Sequence, residues 1–148
     1  MAAAALLATA NWPSLRRLGF SDSLDSLDAE GVAFLAAATW PLLREIDLSM
    51  SYCGAAGVAA LKAANWPLLE SLELFGSDID DEGAVALTEA RWACLKILDL
   101  GDNDLTDEGA AALAAGDWPR LEWRVVRHNK LGDPGAVAGP PGHLSCWE

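Results

Sequence analysis

W-A-C-L-K-I-L-D-L-G-D-N-D-L-T-D-E-G-A-A-A-L-A-A-G-D, residues 92–117, decides the fold of this chain. The stretch before it, residues 66–91, reads W-P-L-L-E-S-L-E-L-F-G-S-D-I-D-D-E-G-A-V-A-L-T-E-A-R and keeps the same phrase. Tryptophan opens every copy, as Trp12, Trp40, Trp66, Trp92 and Trp118, at spacings of 28, 26, 26 and 26 residues. Self-similarity at a period of this size marks a chain of stacked supersecondary units.

Four apolar columns run through the copies. They are Leu15, Leu43, Leu69, Leu95 and Leu121; then Leu18, Ile46, Leu72 and Leu98; then Phe20, Leu48, Leu74, Leu100 and Val126; and finally Leu27, Cys53, Ile79, Leu105 and Leu131. A polar turn residue precedes the last column as Ser51, Ser77, Asn103 and Asn129. The first copy carries two extra residues in S-D-S-L-D-S, which explains its spacing of 28; insertions in a solenoid usually map to loops.

Leu-x-Leu alternation puts two apolar side chains on one face of a short strand and polar ones on the other. This predicts strands near 18–20, 46–48, 72–74 and 98–100. Asp80-Asp81-Glu82 and Thr106-Asp107-Glu108 then place acids where they cap free N–H groups and complement the helix dipole. The helical phrase G-A-x-A-L-x-x-A is rich in alanine, the best helix former, and turns Leu35, Leu61, Leu87 and Leu113 inward. Trp-Pro is expected to end each helix, because the residue before proline is driven from the α region. The Trp column reads as structural, in the loop returning from helix to strand. No single unit buries its own apolar face, so stability comes from stacking.

The embedded L-x-x-L-x-L-x-x-N/S-x-L/I pattern resembles the leucine-rich repeat family over roughly residues 2–136. With a helical outer segment and a 26-residue period, it is similar to the ribonuclease-inhibitor-like and GALA-like classes. The resemblance implies an α/β fold: a right-handed solenoid of about five repeats of 26–28 residues, with short parallel strands on a concave face and helices on a convex one. The array is expected over 1–137, from a half repeat at 1–11 through repeats starting at the five tryptophans, followed by a flexible tail at 138–148.

The composition agrees with one helix-rich domain. The chain has 148 residues, 52% of them hydrophobic, and much of that fraction is alanine. The apolar start, Met1–Ala10, is too short to span a bilayer and lacks the basic segment of a signal peptide. Leu7 stands five residues before Trp12, as Leu113 does before Trp118, so this start reads as the second half of a repeat helix. A net charge of −12 disfavours nucleic acid and anionic membranes, which demand a basic footprint. The three cysteines, Cys53, Cys94 and Cys146, form no C-x-x-C and cannot all pair. An intracellular, reducing location is expected, cytoplasmic or cytoskeleton-associated and not secreted.

The last copy departs from the pattern. In L-E-W-R-V-V-R-H-N-K-L the second consensus leucine is Arg124, an expensive group to bury unpaired. A slip of one residue would turn Trp123 and Val125 inward instead. Neither end shows the polar cap that solenoids usually need. This predicts either a fragment of a longer array, or ends covered by a partner or a second copy, with marginal stability or self-association of the isolated chain.

Chemistry is sparse. Asp78, Asp80, Glu82, Gly83, Val85 and Glu89 approach a calcium-loop pattern. However, Glu82-Gly83 recurs as Glu30-Gly31 and Glu108-Gly109, and Ala37 and Ala115 stand at the position of Glu89. The repeat explains the string. His128 and His143 are the only histidines, and no nucleophile elbow or phosphate-cradling glycine loop is present. No cofactor, no metal and no catalysis are expected.

The residues between the core leucines form columns on the concave face of the strands. The central one reads Gly19, Asp47, Glu73, Asp99, Val125. Its neighbours read Arg17, Glu45, Ser71, Ile97, Trp123 and Ser21, Ser49, Phe75, Gly101, Arg127. Carboxylates stacked about 4.8 Å apart repel by roughly 1 kcal/mol per adjacent pair in water. Asp47, Glu73 and Asp99, with Glu45, Phe75, Ile97 and Trp123, are therefore the expected partner-binding residues of a non-catalytic protein-interaction module. The expected partner is a basic or mixed-charge protein. Arrays of the resembled family serve as inhibitors, GTPase-regulator platforms, ubiquitin-ligase substrate receptors and cytoskeletal scaffolds. A structural or assembly fragment of a longer scaffold is the alternative.

Overall fold

The computed structural model describes residues 9–10, 12–20, 27–132 and 144–146. Strand β1 (Arg17–Gly19) leads to helix α1 (Ala29–Ala36), and the alternation continues through β2 (Glu45–Asp47), α2 (Gly54–Leu61), β3 (Ser71–Glu73), α3 (Asp81–Thr88), β4 (Ile97–Asp99), α4 (Asp107–Ala115) and β5 (Trp123–Val125). A sixth strand, β6 (Leu144–Cys146), follows. The strands form one parallel sheet in chain order. Each begins one residue earlier than the alternation suggests.

The expected columns are the observed register. Leu18, Ile46, Leu72, Leu98 and Arg124 pair across the strands, as do Gly19, Asp47, Glu73, Asp99 and Val125. The leucine side of the sheet meets the helices. Leu43, Leu69 and Leu95 are fully buried there with Ile46, Leu72 and Leu98, against Leu35, Leu61, Leu87 and Leu113 from the four helices. Burying one such leucine contributes roughly 1.5–3 kcal/mol, and every inner repeat adds several.

Polar residues stitch the turns to their neighbours. Asn103 accepts from the N–H groups of Ser77 (3.0 Å) and Ile79 (2.9 Å) and donates to the Leu74 carbonyl (2.8 Å). Asn129 does the same one repeat on, donating to Leu100 (2.8 Å) and accepting from Leu105 N–H (2.9 Å). Ser77, with a shorter side chain, still reaches the Leu48 carbonyl (3.1 Å). These bonds satisfy backbone groups that stacking removes from water.

The acids before the helices act as caps. Asp28 and Asp80 accept from the N–H groups of Gly31 (2.9 Å) and Gly83 (3.0 Å). Asp81 instead crosses to the next repeat, accepting from Thr106 Oγ1 (2.6 Å) and from the N–H groups of Thr106 and Gly109. Burial pushes its pKa up, but these bonds outweigh that and hold it below the usual carboxylate value. A Cβ on Gly109 would sit 2.2 Å from Asp81 Oδ1, so only glycine admits this cross-repeat cap. Helix α2 lacks the device: Cys53 is its N-cap and makes no capping bond.

Trp-Pro does not end the helices, a correction to the sequence reading. They stop at Ala36, Leu61, Thr88 and Ala115, three to five residues before each tryptophan. Trp opens a turn instead. The N–H of the leucine three residues on donates to the Trp carbonyl in five copies: Leu15, Leu43, Leu69, Leu95 and Leu121, at 3.0–3.2 Å. Proline at the second turn position suits a type I turn, and the Trp92-Ala93 copy keeps the geometry without it. Trp40, Trp66, Trp92 and Trp118 are buried, and the first two stack with ring centroids 6.1 Å apart.

The one-residue slip at the last repeat does not occur. Arg124 stays in the leucine column, 3% exposed, and its Nη1 donates to the Leu113 carbonyl at 2.7 Å. Burial lowers its pKa. Keeping the pairing of β4 with β5 outweighs the cost of desolvating one guanidinium that finds an acceptor at the end of α4. The extra residues at 21–26, most of the half repeat at 1–11, and the tail at 138–148 apart from β6 lie outside the described residues.

Candidate protein-binding face

Strand register alone brings the central column together. Asp47 pairs with Glu73, and Glu73 pairs with Asp99; all three point away from the leucine core because side chains alternate across a strand. Two of the carboxylates are anchored by their own turns. Asp47 accepts from Ser49 N–H (2.9 Å) and Asp99 from Gly101 N–H (2.8 Å). The Glu73 carboxylate sits between them with no hydrogen bond or cation among the described residues. Burial, then Asp47, Asp99 and Glu45, push its pKa above the ordinary value.

Apolar residues border this column on both sides. Ile97 and Trp123 pair in the row before it, 39% and 42% exposed. Phe75, half-buried, stands in the row after it. A Cβ on Gly101 would lie 3.0 Å from Phe75 Cδ2 and 3.1 Å from Asp99 Oδ1. Ring and carboxylate therefore share the same face, and a glycine leaves room for both.

All seven residues expected from the sequence lie on this face, but they are not equivalent. Glu45 already faces a cation of its own chain, its Oε2 lying 2.9 Å from Arg17 Nε. The sequence reading missed a second charged column one row further out. There Glu70 is bonded by Arg44 and, at 2.8 Å, by Lys96. The Lys96 hydrogen bond comes first among the causes that lower the Glu70 pKa. The reading also missed Met50 and Tyr52, both exposed at the edge of the face with φ of 60° and 48°. The signal for Met50 was periodic, since Gly76, Asp102 and His128 hold the same left-handed position in later repeats. Glycine, aspartate and histidine tolerate it better than methionine.

A family model described as "Leucine Rich repeat" matches residues 67–87 and 93–114, two successive copies. None of the curated proteins matches the chain. Among solved structures, a chain from the crystal structure of the Rad7 and Elc1 complex in yeast superposes with a TM-score of 0.67 at 20% identity. The match covers 89% of this chain and 32% of that one, so this chain spans about a third of its length. The chain therefore carries leucine-rich repeats at residues 67–87 and 93–114 and shares its fold with the yeast chain. Among the described residues no helix is long and apolar enough to cross a membrane.

Proposed function

We propose that this protein is a non-catalytic interaction module whose concave sheet face binds a protein with a basic or mixed-charge surface. One observation carries the reading. Three carboxylates are stacked in register, the middle one has no compensating cation among the described residues, and solvent-exposed Ile97 and Trp123 lie beside them. A partner's lysine or arginine relieves that repulsion on binding, while apolar side chains beside charges are what anchor interfaces. The yeast structure of similar fold is itself a complex of two proteins. Free Cys53 and Cys94 agree with an intracellular, reducing location.

The test is charge reversal. Asp47→Lys/Glu73→Lys/Asp99→Lys should fold like the wild type by circular dichroism, because these side chains leave the core untouched. It should lose the basic proteins that wild type captures, and that capture should weaken steeply as salt rises. Full-strength capture by the triple variant would move function off this face.

A second reading has its own observation. Trp12, Leu15, Leu18 and Phe20 of the first repeat are only partly buried, whereas their counterparts in inner repeats are almost wholly so. A structural role in a larger assembly would use that end. Light scattering showing a stable monomer at high concentration would count against it.

A further inference from the structure

We infer that the segment this face takes is an α-helix that carries its basic residues at i, i+4 and i+7 and lies across the strands. The inference rests on the binding role proposed above and narrows it to a class of partner. Three features of the face lead to it.

The first is spacing. Asp47, Glu73 and Asp99 occupy matched positions on adjacent parallel strands, so the column spans two strand steps, about 9.6 Å. A helix rising about 1.5 Å per residue sets its i and i+7 side chains about 10.5 Å apart on one face, with i+4 between them. An extended segment repeats its side chains every 6.6–6.8 Å or so, and three in a row span about 13 Å. The helix misses by about an ångström, which long lysine side chains absorb. The extended segment overshoots by more than three. Turned to run along the strands, it would meet one carboxylate of the column only.

The second feature is the backbone. Strands β2, β3 and β4 are each paired on both sides, so the face offers no sheet edge to an incoming strand. An extended segment on it would leave its own N–H and C=O groups without partners as water is expelled. A helix brings those groups already satisfied.

The third is the flanking relief. Phe75 rises on one side of the carboxylates, and Ile97 and Trp123 on the other. They are the apolar walls of the acidic column, Phe75 in the row after Glu73, Ile97 in the row before Asp99 and Trp123 one strand further on. A helix laid over the column presents a basic stripe to the carboxylates and apolar side chains to these residues on both sides. Its natural match is therefore a basic amphipathic helix, flanked by apolar residues on both sides of the basic stripe.

The experiment uses the full chain and two synthetic peptides of identical composition. One has lysines at i, i+4 and i+7 of an alanine- and leucine-rich helix; the other has them at i, i+2 and i+4. Calorimetric titration should show the first binding about tenfold tighter, with its helicity rising in the complex and the preference lost in Glu73→Lys. Equal affinities, tighter binding of the alternating peptide, or no binding of either at millimolar concentration would overturn the helix inference. If the two peptides bind equally but Asp47→Lys/Glu73→Lys/Asp99→Lys abolishes both, the acidic face stands and only the helix falls. Binding of both, undiminished in the triple variant, would sink the proposed binding face as well.

Discussion

Two charged columns run across the same repeats, three residues apart in each, and they have been built to opposite ends. Arg44, Glu70 and Lys96 alternate in sign and bond to one another. Asp47, Glu73 and Asp99 share a sign, and the middle carboxylate is left without a cation among the described residues. The first column is complete within the chain. Under the proposed binding role, the second is completed by a partner's positive charge. A parallel solenoid stacks equivalent positions of successive repeats, so one substitution per repeat chooses between an internal ion ladder and a like-charged surface.

Breaking the comparison is most direct at the like-charged column, where reversing all three carboxylates should remove partner binding and leave the fold. The next largest effect is expected from its apolar walls. Phe75→Ala and Ile97→Ala should each weaken binding by roughly tenfold, more than any single carboxylate-to-amide change, because apolar anchors dominate interfaces. Titration of a partner, or of the patterned helical peptide, against each variant ranks them. A carboxylate variant that costs more than both wall variants would make the column, rather than its borders, the anchor.

The smallest effects separate the columns by sign. Glu73 has a raised pKa, so the folded state holds its proton to higher pH than the unfolded chain does. Its ionisation destabilises the fold as pH rises through that window. Glu73→Gln should therefore raise the melting temperature slightly at neutral pH, and the gain should vanish in acid. Glu70 has a lowered pKa. Its contribution is present above the unfolded value and is lost as pH falls through the folded one, so Glu70→Gln should slightly lower the neutral melting temperature, again with no difference in acid. Melting curves of both variants across the acidic range check this. Equal signs would mean the two columns do not differ as drawn. Partner affinity should follow Glu73 and ignore Glu70.

Much of this molecule was legible in the chain itself. The period of 26 residues, the leucine columns, the inward helix leucines and the membership of Asp47, Glu73 and Asp99 in one outward row all follow from local alternation plus exact repetition. Stacking then leaves little freedom: each strand must pair with the equivalent strand of the next repeat, so sequence register becomes spatial register.

Three matters needed the tertiary structure. The helices stop three to five residues before the tryptophans, whose carbonyls belong to a separate turn with the leucine three residues on. Arg124 keeps the leucine register, since the end of α4 offers it the Leu113 carbonyl, eleven residues back in the chain. Which carboxylates are compensated depends on side chains 26 residues or more apart: Arg44 and Lys96 reach Glu70, Arg17 reaches Glu45, and no cation reaches Glu73 among the described residues. Repetition determines which positions meet across repeats, and one sequence carries that information in full. Whether a long side chain closes on its neighbour or leaves it bare is decided by distances between repeats, which exist only once the repeats have stacked.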